Sequence, residues 1–226
     1  MKVCPFSAFL FLSSAAAYTL HAYHKDRKAS KMEETKKKYH VVFVLGGPGA
    51  GKGTQCDMII KNNPQWAHLS AGDLLRAERK KSDSELATLI NSKISSGQIV
   101  PAEITVRLLE KAMEESNKTY FLIDGFPRSE GNVIVWEEKM ACHQIEFVLF
   151  LDCPEEIMTN RIVLRGQTSG RIDDNLSVLK KRFETFRRES MPIINRYDKM
   201  GKVKKVLADG NVDDVYAQVI ALFNDL

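Results

Sequence analysis

The chain contains 226 residues, 44% of them hydrophobic and 27% charged, with a net charge of +4 at pH 7. These values are ordinary for a globular protein and allow one domain with a sizeable core plus a tail. Much of the positive charge falls between residues 25 and 38. The rest of the chain lacks the basic stripe with interleaved aromatic side chains that nucleic-acid binders carry, so we expect no nucleic-acid partner.

The first 36 residues form a segment apart. No charged residue occurs between positions 3 and 20, and basic residues lie on both sides, which is the layout of a signal peptide, a short anchor or an organellar presequence. Alternatively, translation starts at Met32, nine residues before the first predicted strand. In that case we expect a cytoplasmic protein, with the nucleus as a further location. Otherwise residues 1–30 direct the chain to an organelle or a membrane, and only then do we expect membrane contact.

Hydrophobic periodicity predicts strands alternating with helices along the rest of the chain. Short apolar runs bounded by polar segments are typical of strands buried on both faces of a parallel sheet. The predicted strands are Val41–Leu45, Trp66–Ser70, Tyr120–Asp124, Phe147–Asp152 and Lys204–Asp209. The predicted helices are 53–62, 74–80, 84–96, 102–116, 133–142, 155–165, 174–200 and 212–226. This order predicts an α/β fold with a doubly wound five-stranded parallel sheet, which binds ligands at the carboxyl ends of its strands.

A glycine-rich segment, Gly46–Thr54, follows the first predicted strand directly and reads GGPGAGKGT. Glycines allow turns in which successive N–H groups converge on phosphate oxygens, and the positive end of the following helix points at the same place. Lys52 adds a mobile charge. The pattern is that of a P-loop, but Gly53 follows the lysine and the hydroxyl comes one residue later, at Thr54. This displacement argues against direct metal ligation by the hydroxyl; the segment itself predicts polyphosphate binding.

Asp124 ends the third predicted strand, beside the expected position of the glycine loop. A carboxylate in this place is suited to orient a hydrated magnesium ion. The alternative is that Asp124 caps the turn or helix that follows.

Four arginines form two pairs with helical spacing. Arg161 and Arg165 are four residues apart on one predicted helix and therefore share a face. Arg171 and Arg182 are eleven residues apart, about three turns, and align if the helix extends that far.

Two further arginines, Arg76 and Arg128, follow strand-end motifs. Any single arginine is more often a solvated surface charge, but six in such positions indicate that two phosphate-bearing molecules bind together. We find no obvious histidine base. None is needed if the acceptor is a monophosphate, which is largely dianionic at pH 7, so the pattern predicts phosphoryl transfer to a phosphate rather than to a hydroxyl.

The four cysteines are widely spaced, without a CxxC pair or a nearby histidine at zinc-ligand spacing. Cys56, Cys142 and Cys153 lie in or beside apolar stretches. We expect them to be small core residues of a protein in a reducing compartment.

Five motifs occur in the order seen in nucleoside monophosphate (NMP) kinases: GGPGAGKGT, HLSAGDLLR from residue 68, GQIVP from 97, DGFPR from 124 and GRIDDN from 170. The chain resembles this family, and most closely the eukaryotic UMP-CMP kinases, from about Tyr39 to Phe223. The resemblance implies a P-loop kinase core with a helical NMP-binding segment at 70–100 and a short lid at 165–174. It divides the chain into an N-terminal extension, 1–36, and a kinase domain, 37–226.

The resemblance also implies a role for each site residue. ATP would lie on Gly49, Ala50, Gly51, Lys52, Gly53 and Thr54, with Arg161 stacked on adenine, Arg165 on phosphate and backbone near Gly210 at the adenine edge. The acceptor phosphate would bind Arg76 and Arg128, with Arg171 and Arg182 bridging to the transferred group. The nucleoside would contact Gln98, Ile99, Val100, Gly125, Phe126, Pro127 and Asn132. Lys52, Arg128, Arg165, Arg171 and Arg182 would be catalytic, and Asp124 would hold Mg²⁺ through water.

The identity of the acceptor base is argued from two positions. Adenylate kinases resemble this chain but usually carry Thr where it has Ala71 and Gln where it has Asn132, so the resemblance favours a pyrimidine. Asn132 could instead be a helix N-cap. We therefore expect an ATP- and Mg²⁺-dependent monomeric kinase acting on CMP, UMP and dCMP. An adenylate kinase and an ATP-binding switch without transfer are the alternatives.

Overall fold

A computed structural model of the chain describes residues 37–81 and 85–224. Its strands are β1 (His40–Gly46), β2 (Trp66–Ser70), β3 (Tyr120–Asp124), β4 (Gln144–Asp152) and β5 (Val203–Leu207). They form one sheet in the order β2-β3-β1-β4-β5, and all four neighbouring pairs are parallel. The predicted α/β fold with a five-stranded parallel sheet is confirmed. The main difference is that β4 begins three residues earlier than the apolar run that predicted it.

The helices of the described residues are α1 (Lys52–Asn62), α2 (Ala71–Glu78), α3 (Glu85–Ser95), α4 (Ala102–Glu115), α5 (Glu130–Lys139), α6 (Glu155–Gly166), α7 (Leu176–Thr185), α8 (Met191–Lys199) and α9 (Val212–Ala221). Two of them begin three residues before their predicted start, because a serine caps each one. The Ser70 hydroxyl accepts the N–H of Asp73 at 3.2 Å, and the Ser129 hydroxyl accepts the N–H of Asn132 at 3.3 Å. The N-cap of α5 is therefore Ser129, so the alternative reading of Asn132 as a cap is wrong.

The single helix predicted for residues 174–200 consists of three pieces. Asn175 caps α7, which ends at Thr185, and a π-helical turn, Phe186–Ser190, leads into α8. Pro192 at the start of α8 has no N–H to continue an α-helical ladder through this point. Because α7 begins only at Leu176, Arg171 lies in the preceding loop, and the predicted alignment of Arg171 with Arg182 on one helix is wrong.

The central strands are buried on both faces, since alternate side chains of a strand point to opposite sides of the sheet. Val42 and Leu122 pack on one face with Ile59 of α1. Phe43 packs on the other with Trp136 of α5, at a ring-centroid distance of 5.1 Å. The sheet is thus covered by helices on both sides, which leaves its carboxyl edge for loops.

The cysteine prediction is partly wrong. Cys56 and Cys153 are free and buried, whereas Cys142 is exposed. The reason is that α5 ends at Lys139, so Cys142 lies in the turn before β4 rather than on a buried helix face.

The targeting segment predicted within residues 1–36 lies outside the described residues. Among the helices of the described part, none has the length and apolar character needed to cross a bilayer.

Candidate active site

The glycine loop between β1 and α1 has a backbone that only glycine tolerates. Gly49 has φ +88°, and a Cβ added there would lie 2.5 Å from the carbonyl oxygen of Met158. Gly51, the residue before α1, has φ +93°. The loop therefore curls around the first turn of an 11-residue helix, whose leading N–H groups have no intrahelical partner and attract anions.

Lys52 starts α1 and folds back over the loop. Its ammonium donates to the carbonyl oxygens of Gly46 at 3.0 Å and Gly47 at 2.9 Å. Burial lowers the pKa of Lys52 to about 8, with Arg128 acting in the same direction and Asp124 opposing it. The side chain is thus a desolvated cation that bonds to two carbonyl oxygens and feels the charge of Asp124.

Asp124, at the end of β3, lies beside the start of α1. A Cβ added to Gly53 would lie 3.7 Å from Asp124 Oδ2. Burial would raise the pKa of Asp124, but His68, Lys52 and Arg128 outweigh it and hold this pKa below its usual value. A charged carboxylate next to a phosphate cradle provides the hard oxygen that Mg²⁺ prefers, so the position fits an ion held through water.

His68 is a contact that the sequence argument missed. Its Nδ1 lies 3.0 Å from Asp57 Oδ1, and its Nε2 lies 3.7 Å from Asp124 Oδ2, too far for a hydrogen bond. Burial opposes protonation, but the two carboxylates outweigh it and raise the pKa of His68. The sequence could have predicted this contact. His68 and Ser70 lie on the same face of β2, and Ser70 pairs with Asp124 in the sheet.

Arg165 and Arg182 are each paired with an aspartate that the sequence pattern did not single out. Arg165 donates two hydrogen bonds to Asp174, at 2.8 and 2.7 Å. Arg182 lies 2.9 Å from Asp173 and 3.5 Å from Asp174. Burial lowers the pKa of Arg182 to about 10, and Asp173 opposes this effect.

Asp73 pairs in the same way with Arg76 and Arg171. Its Oδ1 accepts from Arg76 at 2.7 Å and lies 3.5 Å from Arg171 Nη2. Carboxylates thus offset the repulsion among the clustered guanidinium groups, and substrate phosphates could replace them with the same fork geometry.

Arg161 lies against the loop that follows β5. It donates to the carbonyl oxygens of Ala208 at 2.8 Å and Gly210 at 3.0 Å. The structure therefore brings together Arg161 and Gly210, the two positions predicted to contact adenine.

Every site residue predicted from the sequence lines a cavity at the carboxyl edge of the sheet. One cavity has a volume of about 900 Å³, and its lining includes Gly49, Ala50, Gly51, Lys52, Gly53, Thr54, Arg76, Asp124, Arg128, Arg161, Arg165, Arg171, Arg182 and Gly210. A neighbouring cavity of about 70 Å³ is lined by Gln98, Ile99, Val100, Gly125, Phe126 and Asn132, and shares Arg76, Arg128 and Arg182 with the first. Pro127 lines a third, of about 60 Å³. The binding role of each residue stays a prediction.

The 70 Å³ cavity holds two buried polar atoms that lack a hydrogen-bond partner among residues 37–81 and 85–224. One is Asn132 Nδ2, and the other is Asp173 Oδ1. The Oδ1 of Asn132 accepts the backbone N–H of Arg128 at 3.0 Å, which fixes the amide with its nitrogen as the remaining donor. Unpaired buried polar atoms are costly, so both atoms indicate contacts with a bound molecule.

Comparison with known proteins identifies the family. The adenylate kinase family model matches residues 44–202. The UMP-CMP kinase of Xenopus tropicalis is 52% identical over 190 residues, covering 81% of this chain and 96% of the relative. The uridylate kinase of Saccharomyces cerevisiae is 50% identical over 79% of this chain and 88% of its own length. The human UMP-CMP kinase is 48% identical over 81% and 96%, respectively. The chain belongs to the adenylate kinase family.

Proposed function

We propose that the chain catalyses reversible, ATP-dependent phosphorylation of CMP and UMP to their diphosphates. The observation that carries this proposal is the arrangement of the cavities. The glycine loop and Lys52 line one cavity, and a neighbouring cavity, which shares Arg76, Arg128 and Arg182 with it, holds a buried amide donor. Relatives named UMP-CMP kinase and uridylate kinase, at about 50% identity, support the same acceptors.

The donor half binds ATP. Kinases of the adenylate kinase family use ATP and Mg²⁺. The loop N–H groups of residues 49–54 and the ammonium of Lys52 would hold the phosphates, and Arg161 would lie against the adenine. Mg²⁺, when bound, neutralises charge on the phosphate oxygens, and Asp124 would orient it through a water molecule.

The charge and position of four arginines support phosphoryl transfer from ATP to the acceptor phosphate. The transferring phosphoryl group carries charge on its equatorial oxygens, so guanidinium groups on several sides stabilise it. Arg128, Arg165, Arg171 and Arg182 all line the same cavity as Lys52. The acceptor phosphate brings its own anionic oxygen, and no side chain has to remove a proton from it.

The amide of Asn132 is suited to a contact with the base. Because its oxygen accepts from Arg128, its nitrogen is the group left to donate to an acceptor on the base. Cytosine and uracil share such an acceptor, the 2-carbonyl oxygen. Adenine offers ring nitrogens instead, so the proposed preference for pyrimidines rests also on the relatives named UMP-CMP kinase. dCMP is proposed as a further acceptor, since neither the base contact nor the phosphate contacts involve the 2′-hydroxyl.

The test is a coupled assay of ADP release with CMP, UMP, dCMP and AMP as alternative acceptors. We expect turnover with CMP and UMP well above that with AMP. AMP turnover above CMP turnover would establish an adenylate kinase instead. ATP binding without monophosphate-dependent turnover would establish a nucleotide switch.

Location and assembly are also proposals. We propose a cytoplasmic protein, because the three cysteines of the described residues are free, as in a reducing compartment. We also propose a monomer, which rests on the family resemblance alone. Targeting through residues 1–30 is the alternative. N-terminal sequencing and size-exclusion chromatography of the native protein test these points.

A further inference from the structure

The π-helical turn between α7 and α8 brings two hydroxyl side chains, those of Thr185 and Ser190, towards one face of the helix. The N–H of Met191 donates to the carbonyl of Phe186, five residues earlier, which defines the wider turn. Residues five apart in an α-helix are rotated by about 140° from each other, whereas a π-turn brings them close to one face. Thr185 and Ser190, at the two ends of this turn, are five residues apart, and each makes a hydrogen bond to a distant part of the chain.

Thr185 bonds to the end of the NMP-binding segment. Its hydroxyl donates to the carbonyl oxygen of Gly97 at 3.2 Å. Gly97 has φ +69°, and a Cβ added there would lie 3.3 Å from Cγ of Arg182. Gln98 and Ile99, which follow Gly97, line the 70 Å³ cavity. The backbone just before them therefore packs against α7 beside Arg182.

Ser190 bonds to the acceptor arginine. Its hydroxyl donates to the carbonyl oxygen of Arg128 at 3.0 Å, and Ser190 is only 5% exposed. The N–H of the same residue, Arg128, donates to Asn132. The backbone of Arg128 is therefore fixed at both its N–H and its carbonyl group. Asn132, the residue proposed to contact the base, holds the N–H, and Ser190 of the π-turn holds the carbonyl.

We propose that Thr185 and Ser190 are positioning residues for the acceptor nucleotide, and that the π-turn exists to set them on one face. Thr185 holds the carbonyl group of Gly97 beside Arg182, which lies on the same helix, α7, and Ser190 holds the carbonyl group of Arg128. This inference rests on the proposed function insofar as the acceptor is CMP or UMP. Both hydrogen bonds end on the acceptor side of the site, so their loss should weaken acceptor binding more than ATP binding.

The test compares Ser190→Ala, Thr185→Val and the double variant with the wild type. Each lost hydrogen bond leaves a carbonyl unpaired, so we expect the KM for CMP to rise about three- to tenfold in each single variant, and further in the double. The KM for ATP should stay within about twofold. Ser190→Thr and Thr185→Ser retain the hydroxyl and should retain the wild-type KM for CMP.

A matched control is Thr159→Val, which removes a hydroxyl that donates to the Glu155 carbonyl at 2.8 Å within α6. Its KM values should not change.

Three outcomes decide the matter. A selective rise in the KM for CMP supports the inference. Unchanged KM values in the variants, or equal rises for CMP and ATP, overturn it. A wild-type protein without CMP or UMP turnover overturns the proposed function instead.

Discussion

Asn132 accepts the backbone N–H of Arg128 at 3.0 Å, so the residue proposed to contact the base also holds the residue proposed to bind the acceptor phosphate. Arg128 in turn donates from Nε to the carbonyl of Gly125 at 2.6 Å. The two ends of the acceptor nucleotide would therefore be bound by one hydrogen-bonded unit. We therefore expect a substitution of Asn132 to shift the backbone of Arg128, because one hydrogen bond joins the two residues.

Replacing Asn132 with Asp tests this unit. The variant keeps an oxygen that accepts from Arg128, but it replaces the only free donor with a second acceptor facing the base. Loss of a buried hydrogen bond with an unpaired group left behind costs about 1–3 kcal/mol, so kcat/KM for CMP and UMP should fall by roughly 5- to 150-fold. Initial-rate measurements at saturating ATP give this value.

Ser129→Ala is the control for that variant. It removes the cap of α5, which accepts the backbone N–H of Asn132, but leaves the Asn132 side chain unchanged. It should therefore cost about 1 kcal/mol of unfolding free energy and lower kcat/KM for CMP far less than Asn132→Asp does. A wild-type kcat/KM in Asn132→Asp would show that the amide nitrogen does not contact the base.

Lys52→Met should lower kcat by at least about 100-fold, because it removes a preorganised positive charge from the transfer site. The fold should persist, since methionine fills the buried position without a charge to desolvate. Activity and thermal unfolding are measured together. Lys61→Met, an exposed change at the far end of α1, should be silent. A near-wild-type kcat in Lys52→Met would exclude Lys52 as the main cation.

The pH dependence should report the lowered pKa of Lys52. With a pKa of about 8 in the free protein, the ammonium is charged below pH 8 and loses its proton as the pH rises through this value. We expect kcat/KM for ATP to fall above about pH 8, whereas kcat should hold to higher pH because bound phosphates retain the proton. Profiles from pH 6 to 10 measure both. The same midpoint in both profiles would contradict this assignment.

Asp174→Asn should destabilise the protein without substrates more than the protein with them. The Asp174 side chain is fully buried (0%) and pairs with Arg165 at 2.7 Å and Arg182 at 3.5 Å. The change therefore removes the carboxylate from Arg165, whereas Arg182 keeps Asp173 at 2.9 Å. We expect a loss of about 1–3 kcal/mol in unfolding free energy, part of which an ATP analogue should restore by supplying phosphate oxygens. Chemical denaturation with and without the analogue measures this.

Glu115→Gln serves as the comparison, because the exposed pair of Glu115 with Lys111 at 3.7 Å contributes little to stability. A loss in Asp174→Asn no larger than in Glu115→Gln would show that the lid pairs do not stabilise the fold.

The sequence by itself determined the sheet, the glycine loop and the positions of the arginines along the chain. Buried strands, glycine-dependent turns and caps are local features, and residues within a few positions of each other specify them. For this reason the strands occur where the apolar runs predicted them, and the misplaced starts of α2 and α5 trace to two serines that could have been read as caps.

Only the tertiary structure decided how these parts meet. The pairing of Arg165 with Asp174, the bond from Asn132 to Arg128 and the contact of His68 with Asp124 depend on where side chains from separate elements come together. The π-turn and the exposure of Cys142 likewise depend on how α8 and β4 pack, because periodicity alone does not say where a helix widens or ends. Distances between residues far apart in the chain are set by packing, and packing is a property of the whole fold.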